Sequence, residues 1–296
     1  MAVSEDGEVV GSVTGGCVEP AVIAEAEGIL AGAPARLMAF GIADDEAFEI
    51  GLPCGGSVRI LVAPGQPETL LALDAALDAE RHVAVVTDLA GASIGKSRLV
   101  DADDLTGDAE RRVSLAETGT VGDDDTLQLV AVYAPRPRMY VFGAIDFASA
   151  LAKVGCFMGF RVTVCDARAT FVTRERFPVA DELVVAWPHE LIASSFVDER
   201  TAICVLTHDA KFDVPALKAA LATPAGYIGA MGSRRTTERR TERLRAEGVT
   251  EDELARIHAP IGLSLGAKSP EEVAVAIAAE IVEERHARSR SAHVSV

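Results

Sequence analysis

The chain is poor in cysteine and in positive charge, and it lacks any long apolar run. Its five cysteines among 296 residues are odd in number and scattered. That excludes a disulfide-stapled scaffold and points to a reduced, cytoplasmic protein. Lysine and arginine number 28 against 45 aspartates and glutamates, a formal charge of −17 with a pI near 4.8. Phosphate surfaces repel such a protein, so nucleic acid is not an expected partner, nor is an anionic membrane. No apolar stretch is long enough for membrane insertion. Polar and acidic residues, Ser4-Glu5-Asp6, begin three residues after Met1, which does not read as a secretory leader. Internal repeats and low-complexity tracts are absent. No second Cys/His pair stands at zinc-ligand spacing. The acidic clusters Asp101–Asp104 and Asp123–Asp125 lack the spacing of a calcium loop and read as solvated loops.

What is present suffices for two domains, since 49% of the residues are hydrophobic. The break falls at Tyr133-Ala-Pro-Arg-Pro-Arg138, a stiff, extended connector. The expected division is an N-terminal mixed α/β domain over 1–133, a linker over 134–138 and a Rossmann-like domain over 139–296. In the first part Val9–Val13 reads as a strand running into a glycine turn. Glu19–Ala31 reads as a helix with Val22, Ala26 and Ile29 on one face. Ser57–Val62 and Val83–Asp88 read as strands, and Leu70–Ala79 as a helix.

After the connector, strands and helices alternate. Met139–Phe142, Arg161–Cys165, Glu182–Val185, Thr201–Leu206 and Tyr227–Ile228 are the expected strands. Phe147–Met158, Val214–Leu221 and Thr236–Ala246 are the expected helices. A last helix opens at Ser269-Pro-Glu-Glu272, with Ser269 as N-cap, Pro270 at the first helical position and Glu272 completing a capping box. This alternation implies a parallel sheet covered by helices on both sides.

Six loops carry candidate chemistry. Gly11-Ser-Val-Thr-Gly-Gly-Cys17-Val-Glu19 and Pro53-Cys54-Gly55-Gly56 both place a cysteine beside paired glycines. Gly15, Gly16, Gly55 and Gly56 can offer backbone amides as anion nests. Cys17 and Cys54 are either reachable thiolates or small buried hydrophobes. Cys156, Cys165 and Cys204 fall within expected helix or strands and read as core. The turn Gly143-Ala-Ile-Asp-Phe-Ala148 keeps the first glycine of a dinucleotide fingerprint. Ile145 stands where the backbone should approach a pyrophosphate, and Asp146 adds charge of the wrong sign. Asp166 ends the next strand at the distance of a ribose-binding acid. NAD(P) is therefore not the expected ligand, and the frame serves another use.

Thr207-His208-Asp209 lies at a carboxyl strand end, where His208 and Asp209 are either a site or a loop with a helix cap. Gly229-Ala-Met-Gly232-Ser233-Arg234-Arg235 runs a glycine turn into a helix start, fit for a phosphate. The remainder of that arginine-rich segment, Arg239 to Arg245, reads as a solvated face with partners at Glu238 and Glu242. Pro260–Gly266 is a further glycine loop, expected to face the same cleft.

Taken in order, these stretches resemble the xanthine dehydrogenase accessory (XdhC/CoxI) family of molybdenum hydroxylase maturation factors. The resemblance rests on the Gly11–Glu19 and Pro53–Gly56 loops, Gly159–Arg168, Arg176-Phe-Pro178, Thr207-His-Asp209, Tyr227–Arg234, Pro260–Leu263 and the final Ser-Pro-Glu-Glu helix. It covers nearly the whole chain.

It implies a cytoplasmic protein that binds and protects the molybdenum cofactor, a molybdopterin with or without a nucleotide, and helps insert it. The receiving partner would be the large subunit of an apo-molybdenum hydroxylase, and the sulfuration partner a cysteine desulfurase. Homodimer formation is implied as well, and catalytic turnover is not. Under this reading the cofactor-binding residues are Gly15, Gly16, Cys17, Cys54, Gly55, Gly56, Gly143, Asp166, His208, Asp209, Gly232, Ser233 and Arg234. Cys17 and Cys54 would lie nearest the molybdenum, since a soft thiolate suits a sulfur-rich centre. The alternatives are a nicotinamide-dependent oxidoreductase and a ligand-free interaction protein. Relatives usually carry a segment ahead of the Gly11 motif, so the resemblance also implies an N-terminal domain that is reduced or begun late here.

Overall fold

The computed structural model describes residues 1–41, 57–207 and 209–293, with side chains as far as Ala287. The chain divides into two compact units, Met1–Pro135 and Arg136–Val296. No helix among the described residues is long and apolar enough to cross a membrane.

The first unit is built from antiparallel pairs. β1 (Ala2–Val3) pairs with β2 (Val9–Val10), and α1 (Glu19–Leu30) follows. β3 (Arg36–Phe40) pairs with β4 (Val58–Val62). Val22 and Ile29 of α1, with Val18 just before it, bury themselves against Phe40, Ile60 and Val62, so one stripe of α1 covers this ribbon. After α2 (Pro67–Asp78) come β5 (Val83–Asp88), β6 (Ser97–Asp101), α3 (Gly107–Ser114), β7 (Gly119–Val121) and β8 (Gln128–Tyr133). These four strands form an antiparallel sheet in the order β6-β5-β8-β7. Ala84, Val86 and Val130 pack with Val113 of α3 beneath it. The strand expected over Val9–Val13 stops at Val10, because Gly11 takes a φ of 81° and the residues after it wrap around a carboxylate.

The second unit is doubly wound. Its strands are β9 (Arg138–Phe142), β10 (Arg161–Cys165), β11 (Glu182–Val184), β12 (Ala202–Val205), β13 (Tyr227–Ala230) and β14 (Ile257–His258). All pair in parallel in the order β11-β10-β9-β12-β13-β14. That is the strand order of a dinucleotide-binding sheet, with its switch point between β9 and β12. The helices are α4 (Asp146–Phe157), α5 (Pro188–Ser194), α6 (Ala210–Leu221), α7 (Arg234–Ala246), α8 (Glu251–Leu254) and α9 (Pro270–His293).

Alternation along β9 sends Met139 and Val141 into one core with residues of α4 and α9. Tyr140 and Phe142 enter a second core with residues of α5, α6 and α7. β12 is buried at every position, as a central parallel strand covered on both faces must be. The expected strands and helices of this unit recur within a few residues at their ends. β14, α5 and α8 are additions, each too short to show a period in sequence.

Arg136 anchors the connector to the second unit. It donates to Asp181 Oδ1 at 2.8 Å and to the Phe160 carbonyl. The final helix begins as expected: Glu272 N–H donates to Ser269 Oγ at 3.2 Å, and Ser269 N–H to Glu272 Oε2 at 3.1 Å.

Candidate functional site

The Gly11–Glu19 loop is organised around a single carboxylate. The N–H groups of Val13, Thr14 and Gly15 donate to Glu19 Oε1 at 3.0, 2.8 and 3.0 Å. Gly16 and Val18 donate to Oε2 at 2.8 and 3.2 Å. The Ser12 and Thr14 hydroxyls add bonds of 2.6 and 3.0 Å. Such convergence of amides needs left-handed backbone, which Gly15 and Gly16 supply at φ of 82° and 125°.

The Ser12 hydroxyl, followed by the Thr14 amide, holds the Glu19 carboxyl far below the usual carboxylate range. The nest is therefore real, and the anion in it is the chain's own Glu19. A ligand anion would bind these amides only by displacing that carboxylate. Sequence reasoning had the nest without its occupant; the signal was a glutamate two residues beyond the Cys17 that follows the glycine pair, at the first turn of a helix. The loop also sorts two neighbours, since Val18 is fully buried and Cys17 is exposed. Cys54, Gly55 and Gly56 lie outside the described residues.

In the second unit, the candidate residues gather at the carboxyl end of the sheet. Gly143 follows β9 with φ of 105°. A Cβ there would meet Thr207 Cγ2 at 2.8 Å and Thr207 N at 3.1 Å, so the turn packs directly on the end of β12. Asp166, after β10, is 3% exposed. It accepts from Ala144 N–H at 2.9 Å, from Arg168 N–H at 3.0 Å, and from Arg168 Nε and Nη2 at 2.9 and 2.8 Å. Burial opposes its ionisation. The Arg168 guanidinium and the Ala144 amide outweigh that and keep the carboxyl below its ordinary range.

The acid at the ribose position thus spends its lone pairs on the glycine turn and on Arg168. Ile145 N–H turns back to the Gly143 carbonyl at 2.9 Å. Asp209 caps α6, accepting from Lys211 N–H at 3.1 Å, and its charge acts on Arg168. His208 lies outside the described residues. Ser233 caps α7 through Thr236 N–H at 3.2 Å, Gly232 precedes it, and Arg234 is exposed. The Pro260–Gly266 loop reaches the same edge: Ile261 N–H donates to the Ala230 carbonyl at 3.1 Å, and Gly262 N–H to Glu280 on α9 at 2.8 Å.

In the arginine segment Arg239, Arg243 and Arg245 are exposed, as a solvated face requires, and Arg240 departs from that expectation. Arg240 is 5% exposed and donates through Nη2 to Asp213 Oδ2 at 2.8 Å and to the Met231 carbonyl at 2.6 Å. Asp213 in turn accepts from the Thr207 hydroxyl. This buried pair fastens the ends of β12 and β13 to α6 and α7. Sequence reasoning missed it, although Arg240 stands four residues before the buried Leu244 on the helix face that meets the core. Arg245 pairs with Glu251 at 2.9 Å rather than with Glu238 or Glu242.

The other cysteines keep to the interior or its margin. Cys165 is buried, and desolvation pushes its thiol up to about 12. Cys204 is buried and raised for the same reason. Cys156 is half-buried and donates to the Val179 carbonyl at 3.2 Å. Among the described residues no group of three or more His, Cys, Asp or Glu is placed to hold a metal ion.

The XdhC Rossmann domain model matches residues 139–281, and the model of the XdhC and CoxI family matches residues 1–41. The chain belongs to the XdhC/CoxI family. A probable xanthine dehydrogenase subunit of Bacillus subtilis is 32% identical over 163 residues, 55% of this chain and 47% of that one. The chain thus spans about half the length of that relative. The molybdenum cofactor insertion chaperone PaoD of Escherichia coli is 27% identical over 289 residues, 96% of this chain and 77% of PaoD. A crystal structure from Bacillus halodurans, described as a xanthine dehydrogenase, superposes with a TM-score of 0.69 over 97% of this chain and 85% of that one. At 24% identity this last likeness speaks for the XdhC/CoxI fold alone.

Proposed function

We propose that this XdhC/CoxI protein is a molybdenum cofactor-binding maturation factor that carries the cofactor, shields it and assists its insertion into a molybdenum hydroxylase. One observation carries the reading: the similarity to an insertion chaperone runs over 96% of the chain, so it takes in both units. The site geometry supports it from the other side. A dinucleotide site needs a free acid after the second strand and an open glycine turn. Here Asp166 is engaged by Ala144 and Arg168, and Ile145 N–H is closed onto Gly143. The Rossmann frame is kept while its nicotinamide chemistry is not.

The residues fit the proposed cofactor unevenly. The amides of Gly15 and Gly16 are committed to Glu19, so that loop's offering is the exposed Cys17 thiol. When bound, the cofactor supplies a molybdenum–dithiolene centre, and a soft thiolate is a suitable neighbour for it. Taken by itself, the second unit offers anion chemistry at its carboxyl edge, where Gly232, Ser233 and Arg234 open α7. The role is accessory, the place of action is the cytoplasm, and the partners are the apo-hydroxylase and its sulfuration enzyme. The reading is tested by co-purification: the tagged chain should retain a molybdopterin, detected as its fluorescent oxidation product. Retention of NAD(P) without pterin would favour the oxidoreductase instead.

A further inference from the structure

α7 carries six arginines in a protein of net charge −17. Arg240 is spent on Asp213 and Arg245 on Glu251. Arg234, Arg235, Arg239 and Arg243 have no carboxylate partner among the described residues. Four unneutralised guanidinium groups on one helix repel one another and need a reason.

Two of them line a cleft. Between α6 and α7 lies a cavity of about 220 Å³ walled by Ala210, Asp213, Val214, Thr236, Arg239, Arg240 and Arg243. On α7, Thr236, Arg239, Arg240 and Arg243 recur at three- and four-residue steps and so share the face turned to α6. The floor is the Arg240–Asp213 pair, whose charges cancel. Arg239 and Arg243 then leave the cleft with two positive charges. Arg240 adds an independent sign of an absent partner: its Nη1 is buried with no hydrogen-bond acceptor. An unpaired buried guanidinium nitrogen is costly, and an incoming anion would relieve it. Planar guanidinium forks converging on one space are the usual means of gripping a phosphate.

We propose that the α6–α7 cleft is a phosphate-binding subsite in which Arg239 and Arg243 clamp a phosphate monoester above the Arg240–Asp213 pair, with the Thr236 hydroxyl as a further donor. Thr236 belongs to the first turn of α7, but Arg239 and Arg243 lie about one and a half and two and a half turns beyond Arg234, so the clamp is distinct from the Gly232–Arg234 amides. It stands on the chemistry of the cleft and holds whether the phosphate belongs to the pterin cofactor or to another phosphorylated ligand.

The test uses the full chain and inorganic phosphate, titrated calorimetrically at fixed ionic strength. The expected result is saturable binding that tightens as phosphate passes from monoanion to dianion. An Arg239→Ala/Arg243→Ala variant, altered only at exposed positions, should lose about tenfold or more in affinity. Arg245→Ala, outside the cleft, should bind as the unaltered chain does. No saturable binding, or equal binding by the double variant, overturns the proposal. A second arm adds released molybdenum cofactor. Competition by phosphate places the cofactor's own phosphate in the cleft. Arginine-dependent phosphate binding without cofactor binding or competition upholds the subsite for a different ligand and counts against the cofactor reading alone.

Discussion

Two residues set the local geometry that the proposed function relies on. Glu19 holds the Ser12–Val18 loop closed through amide and hydroxyl bonds to both of its oxygens. Glu19→Gln keeps the shape but removes the charge that makes those bonds strong. Amide exchange at Gly15 and Gly16 should quicken by about tenfold or more, and Cys17 should react faster with a thiol reagent. Unchanged protection would mean that the glycines close the loop unaided. The pH dependence has a definite sign. The folded carboxyl lies far below its ordinary value of 4.5, so the loop's support is fully present above that value. It is lost only as pH falls through the depressed range, and Cys17 reactivity should stay flat in its loop-dependent part through mild acid. Gly143 is the second such residue. Gly143→Ala puts a Cβ 2.8 Å from Thr207 Cγ2 in left-handed backbone, which should cost about 3 kcal/mol in chemical denaturation.

At the scale of elements, helix ends are where sequence and structure agree best. Ser269 and Glu272 form the reciprocal cap expected of them, and Ser269→Ala should lower stability by about 1 kcal/mol, read as a shifted denaturation midpoint. The parallel strands of the second unit were legible because β9 and β12 are apolar runs bounded by glycine or charge. β14, two residues long, carries no period and is defined by its pairing with β13. The antiparallel pairings of the first unit were not legible either, since strand direction depends on partners distant in the chain. The site was half legible. Glycine turns and caps announce themselves locally. The fates of Asp166 and Arg240 were decided by Ala144, Arg168, Asp213 and Met231, most of them on other elements, and charge alone did not reveal that both would be spent inside the fold.

For the whole molecule, the family gives the frame and the cofactor reading gives the frame a use. Under that reading a protein of net charge −17 needs positive groups where a polyanion is to sit, and α7 alone carries six arginines. Binding of the cofactor should therefore weaken as salt is raised. The measurement that tests the central claim most directly is an anaerobic titration of released molybdenum cofactor into the purified full chain, with Cys17→Ser in parallel. The account predicts near-stoichiometric binding by the unaltered chain and a loss in the serine variant that leaves the fold intact. Absence of binding by the unaltered chain, under conditions where an insertion chaperone such as PaoD retains the cofactor, would contradict it.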